Sequence, residues 1–239
     1  MTIKAILFDK DGTLIDFNAT FAPATALVIR ELAAGDEEKA RRLAKAVEFD
    51  LDKEEIDSNS VLVAGSLENI TAQWADSVVG NSLEDQTAVV DALYVKYSIE
   101  TVQAFPWLLS TLDALQADNL PLGIATNDSE TAAKAHMARL ELTDRFTHIF
   151  GYDSGHGAKP DPGMVTAFAE ALSLPPKAVM MVGDSSFDLK AGRAAGAVAV
   201  GVTSGHYGED ILAPHADHVL PDISALPALV RQLNGESQS

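Results

Sequence analysis

The 239-residue sequence contains no cysteine. This absence excludes disulfide bonds, a thiol nucleophile and a zinc site with cysteine ligands, and it fits a reducing compartment. A long apolar run is also missing, because the short apolar segment at the amino terminus carries one lysine and is followed at once by charge. We therefore expect neither a signal peptide nor a membrane span, and we expect a cytoplasmic protein.

Basic residues are scarce. The chain has 17 Lys plus Arg against 35 Asp plus Glu, a formal net charge of -18. This charge repels a phosphate backbone at long range, so nucleic acid is not an expected partner. A small anionic substrate meets the same repulsion, and any anion site must therefore supply local positive charge from a metal, a lysine or helix amino termini.

The hydrophobic pattern divides the chain into three parts. An apolar segment from Ile3 to Phe8 predicts a buried strand, and the pattern is then helical, without a convincing strand, up to about Thr101. From Phe105 onward, apolar strands alternate with helices. This alternation predicts an α/β fold with a doubly wound parallel sheet.

The helical part is too long for a simple connection. A parallel crossover needs only about a dozen residues, so the excess predicts an inserted, all-helical cap domain at residues 16–99, hinged so that it can act as a lid. The Rossmann-like core then consists of residues 1–15 and 100–239. Trp74 has the spacing of a core residue of this helical domain, and the polar end from Asn234 to Ser239 predicts a frayed tail.

Carboxylates follow the first predicted strand directly. Asp9 and Asp11, with Gly12 and Thr13 behind them, lie where chemistry collects in open α/β sheets, at the carboxyl end of a strand. Two carboxylates placed there repel each other, a cost that a bound cation or a shared proton relieves. The alternative is an ordinary acidic turn, since Asp-Gly is a common turn pair.

Three later strands also end in polar groups. Thr126 and Asn127 precede a helix, where they can bind an anion or simply cap the helix. Lys159 lies in a loop before a proline, a position that is usually solvated. Asp184 and Asp188 follow another strand and can face the same crevice, or they can cap the next helix.

The order of these groups is more informative than any one of them. Asp-x-Asp-Gly-Thr, Thr-Asn, Lys-Pro and Gly-Asp-x-x-x-Asp each follow a different apolar strand. This combination resembles the haloacid dehalogenase superfamily, in its phosphatase branch with a helical C1-type cap inserted after the first motif. The resemblance covers nearly the whole chain, and residues 201–203 and 216–219 look like the phosphoglycolate phosphatase subgroup.

The resemblance implies chemical roles. Asp9 would attack phosphorus to form an aspartyl phosphate, and Asp11 would protonate the leaving oxygen and later help to deprotonate water. Mg²⁺ would bind Asp9, the backbone carbonyl of Asp11, and Asp184, with Asp188 supporting this shell through water. The non-bridging phosphate oxygens would be bound by the following residues, through side chains or backbone N–H groups: Gly12, Thr13, Thr126, Asn127 and Lys159.

Some residues do not fit the common pattern or have weak signals. Lys10 stands between the two aspartates where an apolar residue is more frequent in the superfamily, and we expect its side chain to point away from them. His156 is a candidate for substrate contact or proton transfer, although an exposed loop histidine more often does neither. His215 and His218 are spaced like a metal pair but lack an evident further ligand.

The resemblance implies a Mg²⁺-dependent phosphatase acting on a small phosphorylated metabolite, with 2-phosphoglycolate the leading guess. Specificity is expected in the cap around Asp57 to Ser66 and in the loop near Gly155. Two rivals remain open: a sugar-phosphate mutase or phosphotransferase of the same fold, and a binding protein that retains the fold without turnover. Either a monomer or a homodimer is compatible with the sequence.

Overall fold

The computed structural model describes residues 2–57 and 59–235. Its chain divides into two compact units, one made of the residues up to Asp16 together with those from Ala104 onward, the other of Phe17–Gln103. The predicted tail falls mostly on residues 236–239, which lie outside the described residues. Within the described ranges, no helix is both long and apolar enough to cross a membrane.

The described residues form eight strands: β1 (Ala5–Phe8), β2 (Phe49–Asp50), β3 (Glu55–Ile56), β4 (Leu122–Ala125), β5 (His148–Phe150), β6 (Val179–Gly183), β7 (Val198–Val202) and β8 (His218–Leu220). The α-helices in the same residues are α1 (Phe17–Ala33), α2 (Glu37–Ala46), α3 (Val61–Ala64), α4 (Leu67–Trp74), α5 (Leu83–Thr101), α6 (Leu108–Ala117), α7 (Glu130–Arg139), α8 (Gly163–Ala171), α9 (Ser186–Ala195), α10 (Glu209–Leu212) and α11 (Leu226–Leu233).

The first unit contains a parallel sheet, six-stranded over the described residues, in the order β5-β4-β1-β6-β7-β8. The predicted parallel α/β fold is therefore confirmed. Strand β1 is buried along its whole length, as its uninterrupted Ala-Ile-Leu-Phe sequence predicts. The chain adds β4 and β5 on one side of β1 and the later strands on the other. The order in which strands are added therefore reverses at β1, and folds of this kind bind their ligands at such a point.

Apolar residues of the sheet and its helices hold this unit together. Leu7 and Met181 on adjacent strands pack in one cluster with Met164 and Phe168 of α8, and all four are fully buried. Burying a side chain of this size stabilises the fold by roughly 1.5–3 kcal/mol. This packing fixes β1 and β6 side by side, and with them the residues that follow each strand.

The second unit contains α1 to α5, with a core that includes Trp74. Trp74 is 1% exposed and donates from its indole nitrogen to the carbonyl oxygen of Leu43, so its predicted core position is correct. The prediction of a purely helical domain needs a correction, because β2 and β3 form a short antiparallel ribbon. Strands of two residues are too short to show the alternation that identifies a strand in sequence.

Helix α5 continues to Thr101, so the domain boundary predicted between residues 99 and 100 lies inside a helix.

Candidate active site

The register of the sheet brings the predicted site residues to one edge. Phe8 of β1 pairs with Ile124 of β4 on one side and with Val182 of β6 on the other. Asp9, Thr126 and Asp184 therefore follow three adjacent parallel strands within one residue of the same level, and each is at most 7% exposed. Residues far apart in sequence thus share one crevice, as the strand-end argument predicts.

Lys159 is the cation at the centre of this crevice. Its ammonium group lies 2.5 Å from Asp9 Oδ1 and 2.6 Å from Asp188 Oδ1, and it donates to the carbonyl oxygen of Ala125 at 2.7 Å. The side chain is 3% exposed. Burial opposes the charged form, but Asp188 and Asp9 together raise the pKa of Lys159 above its ordinary value. Lys159 is therefore a fixed positive charge within the acidic site.

The backbone of Lys159 is held by Asn127. Asn127 Oδ1 accepts from the backbone N–H of Lys159 at 2.8 Å, and Asn127 Nδ2 donates to the carbonyl oxygen of Lys159 at 2.9 Å. This pair of hydrogen bonds ties the loop that carries Lys159 to the end of β4. The Asn127 side chain therefore positions the lysine, a contact that the sequence did not indicate.

Asp9, Asp184 and Asp188 form a group of buried carboxylates in which one oxygen from each lies within 4.8 Å of the others. Burial raises the pKa of Asp9 to about 7, with Lys159 opposing the shift and Asp188 and Asp11 adding to it. Burial and the neighbouring Asp9 raise the pKa of Asp184 as well. A divalent cation relieves the repulsion between buried carboxylates of such a group. Because carboxylate oxygens are the ligands that Mg²⁺ prefers, the donor set fits this metal.

Asp188 is held by the start of α9. Its Oδ2 accepts from the backbone N–H and the hydroxyl group of Ser185, at 3.0 and 2.7 Å. The capping function considered for Asp188 is thus present, while its Oδ1 contacts Lys159. One side chain serves both functions because each uses a different oxygen.

Two loops approach Asp184 so closely that only glycine fits. A Cβ atom on Gly205 would lie 1.8 Å from Asp184 Oδ2, and one on Gly12 would lie 2.4 Å from the same oxygen. Gly12 also has a φ of +78°, which favours glycine. The backbone N–H of His206 donates to Asp184 Oδ2 at 3.4 Å, and the hydroxyl group of Ser204 donates to the carbonyl oxygen of Gly12 at 2.8 Å.

The predicted orientation of Lys10 is wrong. Its ammonium group lies 2.6 Å from Asp11 Oδ1 and 3.2 Å from Asp128 Oδ2, and its side chain is fully buried. β1 ends at Phe8 and the chain turns through the following residues, so the regular alternation of side chains along a strand does not extend to Lys10. Lys10 therefore turns toward Asp11 instead of away from it.

The remaining candidates differ in their surroundings. Thr126 is 1% exposed, and its Oγ1 accepts from the backbone N–H of Asp128. Thr13 is fully buried, and its hydroxyl group has no hydrogen-bond partner among the described residues. His156 is exposed, and its ring packs edge-on against Phe150 at 5.0 Å between centroids. The roles assigned to these three residues remain predictions.

The pair His215 and His218 stays without a third ligand. In the parts of the chain that the structure describes, the one group of three potential metal ligands is Asp9, Asp184 and Asp188. The structure therefore offers no support for zinc binding at the two histidines.

Two features of the site were not predicted from the sequence: the contacts of Lys10 with Asp11 and Asp128, and the loop Ser204 to His206. The last of these was detectable, because that loop follows β7 at the same sheet edge as the other candidates. Lys10 also carried a signal, since a lysine between two aspartates directly after a buried strand has a counter-charge beside it.

Comparison with known proteins agrees with this geometry. A family model for haloacid dehalogenase-like hydrolases matches residues 3–196. Phosphoglycolate phosphatase from Photorhabdus laumondii is 31% identical, with 94% of this chain and 91% of that protein covered. The phosphoglycolate phosphatase of Escherichia coli strain K12 is 29% identical, with 95% and 92% covered.

Among solved structures, a predicted phosphoglycolate phosphatase from Haemophilus somnus 129PT superposes with a TM-score of 0.69 at 22% identity, covering 96% of this chain and 98% of that one. This likeness supports the fold. With its buried parallel sheet, its strand-end carboxylates and a family match over most of its length, the chain belongs to the haloacid dehalogenase-like hydrolase family.

Proposed function

We propose that this protein is a Mg²⁺-dependent phosphatase that hydrolyses a small phosphate monoester through a phosphorylated Asp9. The observation that carries the proposal is the cluster of the Asp9, Asp184 and Asp188 carboxylates, two of which, Asp9 and Asp188, contact the ammonium group of Lys159. It combines a carboxylate nucleophile, a cation for the transferred group and oxygen ligands for a metal.

In the first step, a carboxylate oxygen of Asp9 forms a bond to phosphorus while the bond from phosphorus to the leaving oxygen breaks. Asp11 gives its proton to that oxygen, so the product leaves as an alcohol. The oxygen of a water molecule then forms a bond to phosphorus while the bond between phosphorus and the Asp9 oxygen breaks. Asp11 takes a proton from this water, inorganic phosphate leaves, and the Asp9 carboxylate is restored.

Other residues stabilise the charge on the transferred group. Lys159, the hydroxyl group of Thr126 and backbone N–H groups of the loop that contains Gly12 and Thr13 face its non-bridging oxygens, with the backbone N–H of Asn127. Mg²⁺ held by Asp9, Asp184 and the backbone carbonyl of Asp11, with Asp188 supporting this shell through water, would neutralise negative charge during phosphoryl transfer. Lys159 and the metal thereby overcome the repulsion between an acidic protein and an anionic substrate.

The substrate in this proposal is a small phosphorylated metabolite, and 2-phosphoglycolate is its leading candidate. Support comes from the relatives, which are named phosphoglycolate phosphatases and match over more than nine-tenths of this chain. We assign selection of the substrate to the second unit, Phe17–Gln103, which corresponds to the cap predicted at residues 16–99. Of the segment expected to contribute, Asp57 to Ser66, residue 58 lies outside the described residues.

A screen of phosphorylated metabolites with Mg²⁺ tests the proposal, with substrates ranked by kcat/KM and Asp9→Asn as the control. We expect release of inorganic phosphate that requires Mg²⁺ and disappears in Asp9→Asn. Transfer of phosphate to a sugar hydroxyl without release would show a mutase or phosphotransferase instead. No turnover of any compound would favour a binding protein.

A further inference from the structure

Lys10 is a fully buried cation that the reaction described above does not use. Its ammonium group is shared between Asp11, at 2.6 Å, and Asp128, at 3.2 Å. Removing a lysine from water costs several kcal/mol, which is offset only when the ion pairs have good geometry. Here the two carboxylates outweigh burial and raise the pKa of Lys10.

Asp128 is itself held in place from both sides of its carboxyl group. Its Oδ1 accepts from the backbone N–H of Ser129 at 3.1 Å, while Oδ2 faces Lys10. Its own backbone N–H donates to Thr126 Oγ1 at 3.1 Å, and its carbonyl oxygen accepts from the backbone N–H of Tyr152. These contacts fix the position of the Asp128 carboxyl group at the end of β4. Lys10 then connects this carboxyl group to that of Asp11.

Asp11 differs from the other acidic residues of the site in its exposure. Its side chain is 24% exposed, whereas Asp9, Asp184 and Asp188 are each buried. A partly exposed carboxylate has several orientations open to it, but proton transfer requires one that lies within hydrogen-bond reach of the leaving oxygen. The contact with Lys10 restricts the side chain of Asp11 through Oδ1.

We propose that Lys10 and Asp128 are positioning residues that hold the Asp11 carboxyl group in place for proton transfer to the leaving oxygen. This inference rests on the proposed function, in which Asp11 is the acid. Neither residue touches the substrate. Lys10 acts through Asp11, and Asp128 acts through Lys10.

The rival explanation is that the Asp11, Lys10 and Asp128 contacts only stabilise the fold. The two explanations predict different dependence on the leaving group. An alkyl phosphate needs a proton on its leaving oxygen, whereas p-nitrophenyl phosphate releases a stable anion and needs none. Loss of proper positioning therefore slows the alkyl ester selectively, while general damage to the site slows both esters alike.

The test compares kcat/KM for 2-phosphoglycolate, or the best alkyl phosphate of the metabolite screen, with kcat/KM for p-nitrophenyl phosphate. Since general acid catalysis contributes typically about 10²–10⁴-fold, Lys10→Met should lower the alkyl value by at least about tenfold and the aryl value by less than about threefold. Asp11→Asn should show the same selectivity more strongly. In the Asp11→Asn background, Lys10→Met should add no further selective loss.

Asp128→Asn is the second variant, because it keeps the shape of the side chain and leaves Lys10 paired with Asp11. It should show the same selectivity to a smaller degree, and it serves as the test should Lys10→Met not fold. Equal losses on both esters, or no loss on either, would overturn the inference while leaving the phosphatase proposal intact. A wild-type protein that hydrolyses neither ester, with Asp9→Asn indistinguishable from it, would instead refute the proposed function and this inference with it.

Discussion

Lys159 Nζ lies 2.5 Å from Asp9 Oδ1, although the two residues are 150 positions apart in the chain. The contact joins the end of β1 to the loop that follows β5, and both side chains are buried. It places a positive charge beside the carboxylate proposed as the nucleophile. Because the same ammonium group also contacts Asp188, its removal leaves two buried carboxylates without their cation.

Lys159→Met is expected to lower both stability and activity. Removing one partner of a buried ion pair costs roughly 3–5 kcal/mol, and urea unfolding without metal should show a loss of this size. The exposed Lys177, changed in the same way, is the matched control and should alter the free energy of unfolding by less than about 0.5 kcal/mol. An unchanged unfolding free energy for Lys159→Met would contradict the importance of this ion pair.

Asn127→Ala tests whether the position of Lys159 depends on its backbone hydrogen bonds. The variant removes the two bonds to the N–H and carbonyl groups of Lys159. Each of these hydrogen bonds contributes about 0.5–1.5 kcal/mol, and we expect kcat/KM for the best substrate to fall by about tenfold or more. Asn81→Ala, at an exposed position, should keep its activity. A fully active Asn127→Ala would mean that the loop is held by other contacts.

Gly205→Ala should weaken metal binding. The added Cβ would lie 1.8 Å from Asp184 Oδ2, so either this carboxylate or the loop must move. Disturbing the surroundings of a metal ligand typically costs about 10–100-fold in affinity, which calorimetric titration with Mg²⁺ can measure.

Gly208→Ala is the control from the same loop. There the Cβ would meet only the end of the flexible Asp210 side chain, at 2.8 Å, so the affinity for Mg²⁺ should be unchanged. Equal affinities in both variants and the wild type would argue against Asp184 as a metal ligand.

Because of the buried His136, we expect the folded protein to lose stability in mild acid. Burial lowers its pKa to about 3, with Lys10 lowering it further and Asp128 opposing. The unfolded chain takes up this proton below about pH 6.5, whereas the folded protein does not until about pH 3. The contribution of neutral His136 is therefore complete above about pH 6.5 and is lost progressively as the pH falls from there toward 3.

The measurement is the free energy of unfolding at about pH 7 and about pH 5, in wild type and in His136→Gln. The wild type should lose about 2 kcal/mol more than the variant between these conditions. Parallel curves for His136→Gln and the wild type would show that this proton does not control stability.

Much of the site could be predicted because parallel strands place their carboxyl ends at one edge of the sheet. Asp9, Thr126 and Asp184 each follow a buried apolar strand, and the structure brings them together. Lys159 follows no such rule, because it lies in a loop and its position depends on Asn127. Its place in the site came from the resemblance of the motifs and not from the pattern of its own segment.

The sequence by itself determined the parallel α/β sheet and the acidic strand ends, because burial of apolar strands and their alternation with helices are visible in the order of residues. Only the tertiary structure decided the direction of Lys10. Alternation of side chains holds inside a strand, but β1 ends at Phe8, and beyond that point the orientation depends on which charges the other loops supply. The partner of Lys10 that is distant in sequence is Asp128, at the end of β4. A contact between the ends of two separate strands forms only when the sheet is assembled.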